Sequence, residues 1–335
     1  MDYELTLFDR IEVIKTANKK YDLEHNAYIS FSGGKDSTIV HHLIDMALPN
    51  NRIPRVFINT GIEYNDIVAF VKKMAEKDDR FIILKPSVPV KPMLEKYGYP
   101  FKSKEFANIY AVYQRSGKTK SVRKFLKEEP SSRKIVCPAV LKPLFETQLD
   151  FKISSKCCDK MKKEPIHKWE KENHRSVSIT GMRNSEGGQR LTIKGCILTD
   201  DKGNLKKFHP LLKVDDAWED EFVSVENIQL CKLYYPPYNF QRTGCKGCPY
   251  NLKLAEQLGT MMVKLPNERM QCEALWKPSY DLYRKMNYRL SNQMNIFEEG
   301  DYDEKNWNIW LQMGRRFCCP RKPKLTREWW LLFVQ

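Results

Sequence analysis

Seven consecutive residues, Ser32-Gly33-Gly34-Lys35-Asp36-Ser37-Thr38, carry the groups that a phosphate cradle needs. The two glycines let backbone approach an anion closely and take positive φ. Ser32, Ser37 and Thr38 offer hydroxyls, and Lys35 offers charge. A helix starting at Asp36-Ser37-Thr38 would aim its free N–H groups and positive dipole end into the turn. Asp36 acts electrostatically and through Mg²⁺, or simply caps that helix. The spacing is not that of a Walker loop, Gly-x-x-x-x-Gly-Lys-Ser/Thr. An ordinary glycine turn before a helix is the plainer alternative. A second constellation is made of thiols. Cys245-x-x-Cys248 lies in a Gly/Pro loop, and the adjacent pair Cys157-Cys158 lies far upstream. Cys-x-x-Cys suits two ligands on one metal, but zinc knuckles and redox pairs use it too. Adjacent cysteines can both reach one cluster if the backbone kinks. Lys156, Lys160, Lys162 and Lys163 would favour thiolates and offset negative charge there.

The surrounding chain predicts the elements that hold these groups. Residues 1–24 read as a helix, and Ala27–Phe31 as the strand entering the glycine turn. Ile39–Ile44 continues the following helix. Arg55–Gly61 reads as a strand ending in a turn, Ile62–Lys77 as a helix and Phe81–Leu84 as a third strand. This alternation predicts an α/β fold with a doubly wound parallel sheet. Ligands in such sheets bind at the carboxyl ends of the strands. The Ser32 turn and the Asn59-Thr60-Gly61 turn are both such ends. Helices with basic loops are expected over 91–135, then a helical stretch from Cys137-Pro138 to Phe151. A strand and turn follow at Val177–Gly181, and a short helix at Trp218. Residues 1–250 form the expected nucleotide-binding domain, and residues 251–335 an aromatic, basic and mostly helical C-terminal region. Tryptophans at 307, 310, 329 and 330 read more readily as core than as stacking platforms.

A chain of 335 residues fits one large domain or two small ones. It shows no N-terminal apolar segment and no run of membrane-spanning length, so a soluble, cytoplasmic protein without a membrane partner is expected. Ten cysteines in such a protein point to metal ligands or redox groups rather than structural disulfides. The formal net charge of +15 points to a polyanionic partner, nucleic acid among them, or to a strongly anionic substrate. Mere solubility is the plainer reading, but the cations cluster. Arg115 to Lys134 holds eight Lys/Arg against two Glu. Others gather over Lys152–Lys171 and around Arg315–Arg327.

The Ser32–Thr38 stretch resembles the Ser-Gly-Gly-x-Asp-Ser-Ser/Thr signature of PP-loop pyrophosphatases, which bind adenine nucleotides and act at the α-phosphate. Over roughly residues 25–250 the chain resembles the phosphoadenosine/adenosine phosphosulfate reductase family. The order Cys157-Cys158 … Cys245-x-x-Cys248 resembles the [4Fe–4S] ligands of its cluster-bearing members. Phe57-Ile58-Asn59-Thr60-Gly61 resembles the family's Leu-Asp-Thr-Gly nucleotide turn, with Asn59 in place of the acid. Thr180–Glu186 with Arg190 resembles its arginine-bearing anion loop, and His209-Pro210-Leu211 and Tyr234–Asn239 resemble further segments. The resemblance implies nucleotide binding by Ser32, Gly33, Gly34, Ser37, Thr38, Asn59, Thr60, Gly61, Arg183 and Arg190. A structural zinc on the same four cysteines stays open.

The resemblance departs at the C-terminus. Reductases of the family attack a nucleotide sulfate with a cysteine in Glu-Cys-Gly-x-His, and this chain has no such motif. Cys318-Cys319, among Arg315, Arg316 and Arg321, could serve instead as nucleophile or could be a buried apolar pair. Relatives that split ATP to AMP and pyrophosphate during sulfur insertion, the DNA phosphorothioation ATPase among them, need no such tail. Three readings follow. The first is an ATP pyrophosphatase in sulfur transfer, with Lys35 and Asp36 catalytic and a sulfur-donor protein or nucleic acid as partner. The second is an adenosine phosphosulfate reductase releasing sulfite, with a thioredoxin-like reductant and Cys318 or Cys319 catalytic. The third is a non-catalytic nucleotide binder with a structural metal site.

Overall fold

The computed structural model describes residues 2–290. In chain order the elements are α1 (Tyr3–Tyr21), α2 (Leu23–Asn26), β1 (Ala27–Ser30), α3 (Lys35–Ala47), β2 (Arg55–Ile58), α4 (Asn65–Ala75) and β3 (Phe81–Leu84). Then come α5 (Val90–Tyr97), α6 (Lys104–Ser116), α7 (Lys120–Leu126), α8 (Lys156–Cys158), α9 (Glu164–Glu172), β4 (Val177–Ile179), β5 (Ile197–Thr199) and β6 (Leu205–Phe208). The last are α10 (Asp216–Val225), α11 (Leu254–Lys264) and α12 (Pro266–Lys285).

The strands form one six-stranded sheet in the order β3-β2-β1-β4-β6-β5. All neighbours pair parallel except β5, which runs antiparallel to β6. The fold is therefore α/β, doubly wound, with an antiparallel edge. The chain reverses its direction of travel across the sheet between β1 and β4. That switch point opens a crevice at the carboxyl ends of the two strands. The Ser32 turn leaves β1 there, and the Gly181 turn leaves β4.

The sheet's apolar faces set the core. Ile29, Ile39, Val40, Leu43, Ile44, Val177, Ile179 and Phe208 pack with Trp218 and Phe222. A second cluster joins Phe57, Ile67, Val71, Phe106 and Tyr110 to Leu258, Trp276 and Tyr280 of α11 and α12. Trp218 and Trp276 are thus buried in the core. Asp2 caps α1, its carboxylate accepting from Leu5 N at 2.8 Å.

One local expectation changes, and two elements are additional. The stretch after Pro138 is only a 3₁₀ turn, Ala139–Phe145, because Pro143 removes a backbone donor inside it. The β5–β6 hairpin is new. Asp200 closes it, its carboxylate accepting from Lys202 N and Asn204 N, and Gly203 takes φ +81. The other addition is the segment beginning at α8, which runs on through a wide π-type turn, Asp159–Lys163, into α9. Such wide turns recur at functional sites.

Candidate functional site

The glycine turn is built largely from its own side chains. Gly33 takes φ +72, and a Cβ there would stand 2.8 Å from Ile67 Cγ2. No other residue type fits a positive φ against a packed helix without strain. Ser32 N donates to Ser37 Oγ at 3.2 Å, and both Ser37 Oγ and Thr38 Oγ1 donate to Gly34 O at 3.0 Å. The turn is thereby shaped before any anion arrives. Lys35 N donates to the Tyr234 hydroxyl at 3.0 Å, and that hydroxyl meets Thr243 Oγ1 at 2.7 Å. Tyr234 thus joins the turn from far along the chain. Helix α3 starts at Lys35 with Gly34 at its cap position and no side-chain cap bond. Asp36 sits in the first helical turn and is not the cap.

Charged groups converge beside this turn. Arg183, on the turn after β4, lies 3.6 Å from Asp36 Oδ1, 2.6 Å from Asp216 Oδ1 and 3.1 Å from Glu219 Oε1. Lys35 Nζ lies 2.9 Å from Asp220 Oδ1 and 3.5 Å from Glu219 Oε2. Gly181 makes the approach of the two turns possible. A Cβ there would stand 2.8 Å from Asp36 backbone and Cβ. Glu219 is wholly buried, and burial with the Asp36 charge pushes its carboxyl up to about 8. Burial works against the Lys35 ammonium, yet Asp220 and Glu219 outweigh it and raise its pKa. The Arg183 guanidinium is held up likewise, burial opposing and Glu219 and Asp216 prevailing.

The acids Asp216, Glu219 and Asp220 were not singled out in the sequence. Their i, i+3, i+4 spacing on α10, behind the cap Asp215, puts them on one helix face. That face could have been read, but nothing local says that two distant cations meet it.

The remaining nucleotide candidates are placed as follows. Asn59 and Gly61 lie at the carboxyl end of β2, Asn59 Oδ1 accepting from Gly61 N at 3.2 Å. Thr60 is buried, its N–H and hydroxyl both donating to Glu63. Arg190 pairs with Glu186, which also holds Arg242. The side chains of Arg183 and Arg190, close in sequence, therefore have different partners, although Arg183 N also donates to Glu186. Only Arg183 joins the glycine turn.

The four cysteines come together from two segments. Cys157 is buried in α8, and Cys158 follows it; Cys245 and Cys248 bracket Gly247, whose φ is +59. Charge on Cys158, Cys248 or Cys245 acts on Cys157, so the thiols share one neighbourhood. The Lys162 ammonium acts on Cys245 by its charge and lies 3.6 Å from Glu63. The Lys162 charge draws the Cys245 thiol down, as the lysines led one to expect, but burial opposes it. Burial pushes Cys157 and Cys245 up, and Cys248 to about 12. Lys160 and Lys163 are paired with Glu164 and Asp159 instead. Among the described residues no three His, Cys, Asp or Glu side chains converge tightly enough to ligate a single metal ion. Cys318 and Cys319 lie outside the described residues. No helix among the described residues is long and apolar enough to cross a membrane.

A mostly parallel α/β sheet with a Ser-Gly-Gly-x-Asp-Ser turn at its switch point is the arrangement of a PP-loop fold. The phosphoadenosine phosphosulfate reductase domain matches residues 26–137 and 138–251, and the chain belongs to that family. An uncharacterized protein of Methanocaldococcus jannaschii is 35% identical over 91 residues, 27% of this chain and 21% of that protein. The chain thus spans about a fifth of the length of this curated relative. Among solved structures, the phosphoadenylyl-sulfate reductase of Candida auris in a phosphate complex is 16% identical, with TM-score 0.42, covering 70% of this chain and 87% of that one. The NH3-dependent NAD synthetase of Campylobacter jejuni is 12% identical, with TM-score 0.38, covering 89% and 100%. The Candida glabrata FMN adenylyltransferase in complex with ATP is 14% identical, with TM-score 0.40, covering 71% and 61%.

Proposed function

We propose that this chain binds ATP at the Ser32–Thr38 turn and splits it to AMP and pyrophosphate, activating an acceptor for sulfur transfer. The observation that carries the reading is the meeting of Lys35, Asp36 and Arg183 beside a preshaped glycine turn at the sheet's switch point. An acceptor oxygen attacks the α-phosphorus, the bond to the bridging oxygen breaks and pyrophosphate leaves with the electron pair; a nucleophilic sulfur from the donor then displaces AMP, with the activated oxygen, from the adenylated acceptor. The backbone N–H of Gly33, and that of Gly34 once it leaves Ser32 Oγ, lie just before α3 and suit the departing phosphates. Lys35 and Arg183 are held cationic beside the turn by the α10 acids, so negative charge developing on the leaving group meets fixed positive charge. Thr60 and Gly61 shape the side on which adenosine would lie. Asp36, half-exposed in the first turn of α3, fits the one carboxylate that Mg²⁺ can take alongside phosphate oxygens.

The four thiols fit an iron–sulfur cluster by donor type, and the lysine on Cys245 fits its negative charge. Cys157, Cys158, Cys245 and Cys248 would hold a [4Fe–4S] cluster, which supplies electron or sulfur chemistry when bound. The clustered cations and the net charge of +15 support nucleic acid as the source of the acceptor.

The family match supports a second reading, a phosphosulfate reductase releasing sulfite with a thioredoxin-like reductant. One experiment separates the two. Protein purified without oxygen is assayed for iron and sulfide, then for pyrophosphate from Mg-ATP and for sulfite from each adenosine phosphosulfate with thioredoxin. Pyrophosphate without sulfite is expected. Sulfite that disappears in Cys318→Ser or Cys319→Ser would overturn the ATP reading in favour of the reductase.

A further inference from the structure

Helix α12 lies beyond the matched family domain, which ends at residue 251, yet its side chains take the backbone carbonyls of the Cys245–Cys248 loop one after another. Trp276 Nε1 donates to Lys246 O at 3.1 Å. The Tyr280 hydroxyl donates to Gly247 O, and the Tyr283 hydroxyl donates to Pro249 O at 2.8 Å. All three aromatic side chains are wholly buried. The loop has no strand or helix ladder to satisfy these carbonyls. A buried carbonyl without a donor costs about as much as a lost hydrogen bond or more. The three spaced donors therefore fix which way the loop's peptides face.

Close packing adds to the hydrogen bonds. Gly247 stands so near α12 that a Cβ would lie 2.5 Å from the Tyr280 hydroxyl and 2.7 Å from Cys272 Sγ. Its φ of +59 is the left-handed turn that the loop needs at that approach. Lys246, within the loop, donates to Gln271 Oε1 at 2.7 Å and is itself almost wholly buried. The Cys-x-x-Cys loop is thus seated on α12 by main chain and side chain alike.

The geometry points to α12 as the clamp that holds Cys245 and Cys248 in place, with Trp276, Tyr280 and Tyr283 as positioning residues. Their consequence for a bound metal group rests on the reading of these cysteines as its ligands. Their effect on the loop does not. A ligand loop held by its carbonyls keeps its thiols turned toward the Cys157-Cys158 segment. Freed carbonyls let it turn over and expose them.

The test uses the full chain stripped of metal, with iodoacetamide as probe and mass spectrometry to read each cysteine. Tyr280→Phe removes one hydroxyl and leaves the ring. Buried thiols react through local opening, so losing this bond should speed alkylation of Cys245 and Cys248 by about tenfold and that of Cys157 by less than about threefold. Tyr110→Phe is the control, since its hydroxyl donates to Leu144 O at 3.0 Å in an equally buried setting away from the loop. It should leave all four rates unchanged. Tyr283→Phe combined with Arg289→Met, which together remove both donors to Pro249 O, gives a second reading should Tyr280→Phe not fold. Unchanged Cys245 and Cys248 rates in the tyrosine variants would overturn the clamp, as would equal acceleration of all four thiols. Iron content of the wild-type protein, measured in parallel, bears on the cluster alone, so the two ideas fail separately.

Discussion

The carboxylate of Glu219 lies 3.1 Å from Arg183 Nε, in a place with no solvent exposure. Neither Glu219 oxygen is aligned for a hydrogen bond. Ion contact without hydrogen-bond alignment is a poor exchange for lost hydration. Burial and the Asp36 charge therefore raise the Glu219 pKa to about 8. A carboxyl raised on folding takes up a proton between its ordinary range and that value. The native state then binds more protons than the unfolded one, and stability falls as pH rises through this window. Glu219→Gln keeps the shape and removes the ionisation. Relative to the variant, the wild-type protein should lose roughly 2–5 kcal/mol between pH 5 and pH 8. Urea unfolding of both proteins at the two pH values measures it. A difference between them that does not change with pH sinks the assignment.

Gly181 and Asp36 are the point at which the turn after β4 meets the turn after β1. A Cβ at Gly181 would stand 2.8 Å from Asp36 main-chain and side-chain atoms. Backbone cannot yield as a flexible side-chain tip can. Gly181→Ala should therefore cost about 1–3 kcal/mol, as overpacking does. It should also lower ATP turnover by about a hundredfold, because a displacement of about 1 Å at a reacting centre has that effect. Gly195→Ala is the control, since its nearest foreign atom would be 3.9 Å away. Thermal melts and pyrophosphate release check both. Equal behaviour of the two variants would show that the close approach does not matter.

The fold was legible where periodicity and turn chemistry were strong. The Ser32 turn between an apolar strand and an apolar helix announced itself, and β1, β2, β3 and β4 fell where apolar runs ended in turns. The β5–β6 hairpin was not legible, because each strand is short and β6 carries Lys206 and Lys207 facing outward. The helix expected to reach Phe151 failed at Pro143. Lysines near the cysteines suggested thiolates, but sequence spacing cannot report burial, and burial dominates. The grouping of Lys35, Arg183 and Glu219 is tertiary. Residues far apart in the chain meet only because β1 and β4 are neighbours in the sheet.

The cysteine cluster yields a prediction that needs no assumption about turnover. If the four thiols hold one group, Cys157→Ser, Cys158→Ser, Cys245→Ser and Cys248→Ser should each lower bound iron and sulfide several-fold in protein purified without oxygen. Cys272→Ser should not, although that thiol is buried nearby beneath Gly247. Removing the metal with a chelator should lower the Tm by roughly 5–10 °C, since binding to the native state alone stabilises it. Atomic emission and visible absorbance read the first part, and calorimetry the second. Zinc in place of iron, lost with the same four substitutions, would replace the cluster by a structural ion.

Lys35 and Arg183 should separate charge from geometry. Lys35 reaches Asp220 and Glu219 as a point charge, whereas Arg183 spreads three nitrogens over Asp36, Asp216 and Glu219. A point charge beside the leaving phosphates holds bound ATP as well as the charge that develops on them. Lys35→Met should therefore weaken ATP binding by about 10–100-fold. Arg183→Lys keeps the charge but cannot make the forked contacts that join α3 to α10. Its effect should fall on kcat by at least about tenfold, with a smaller change in KM, because the turn and α10 lose their common anchor. Titration with ATP and steady-state pyrophosphate release distinguish the two. If Arg183→Lys raised KM alone, Arg183 would be a simple phosphate ligand, and the bracing of the site by α10 would be wrong.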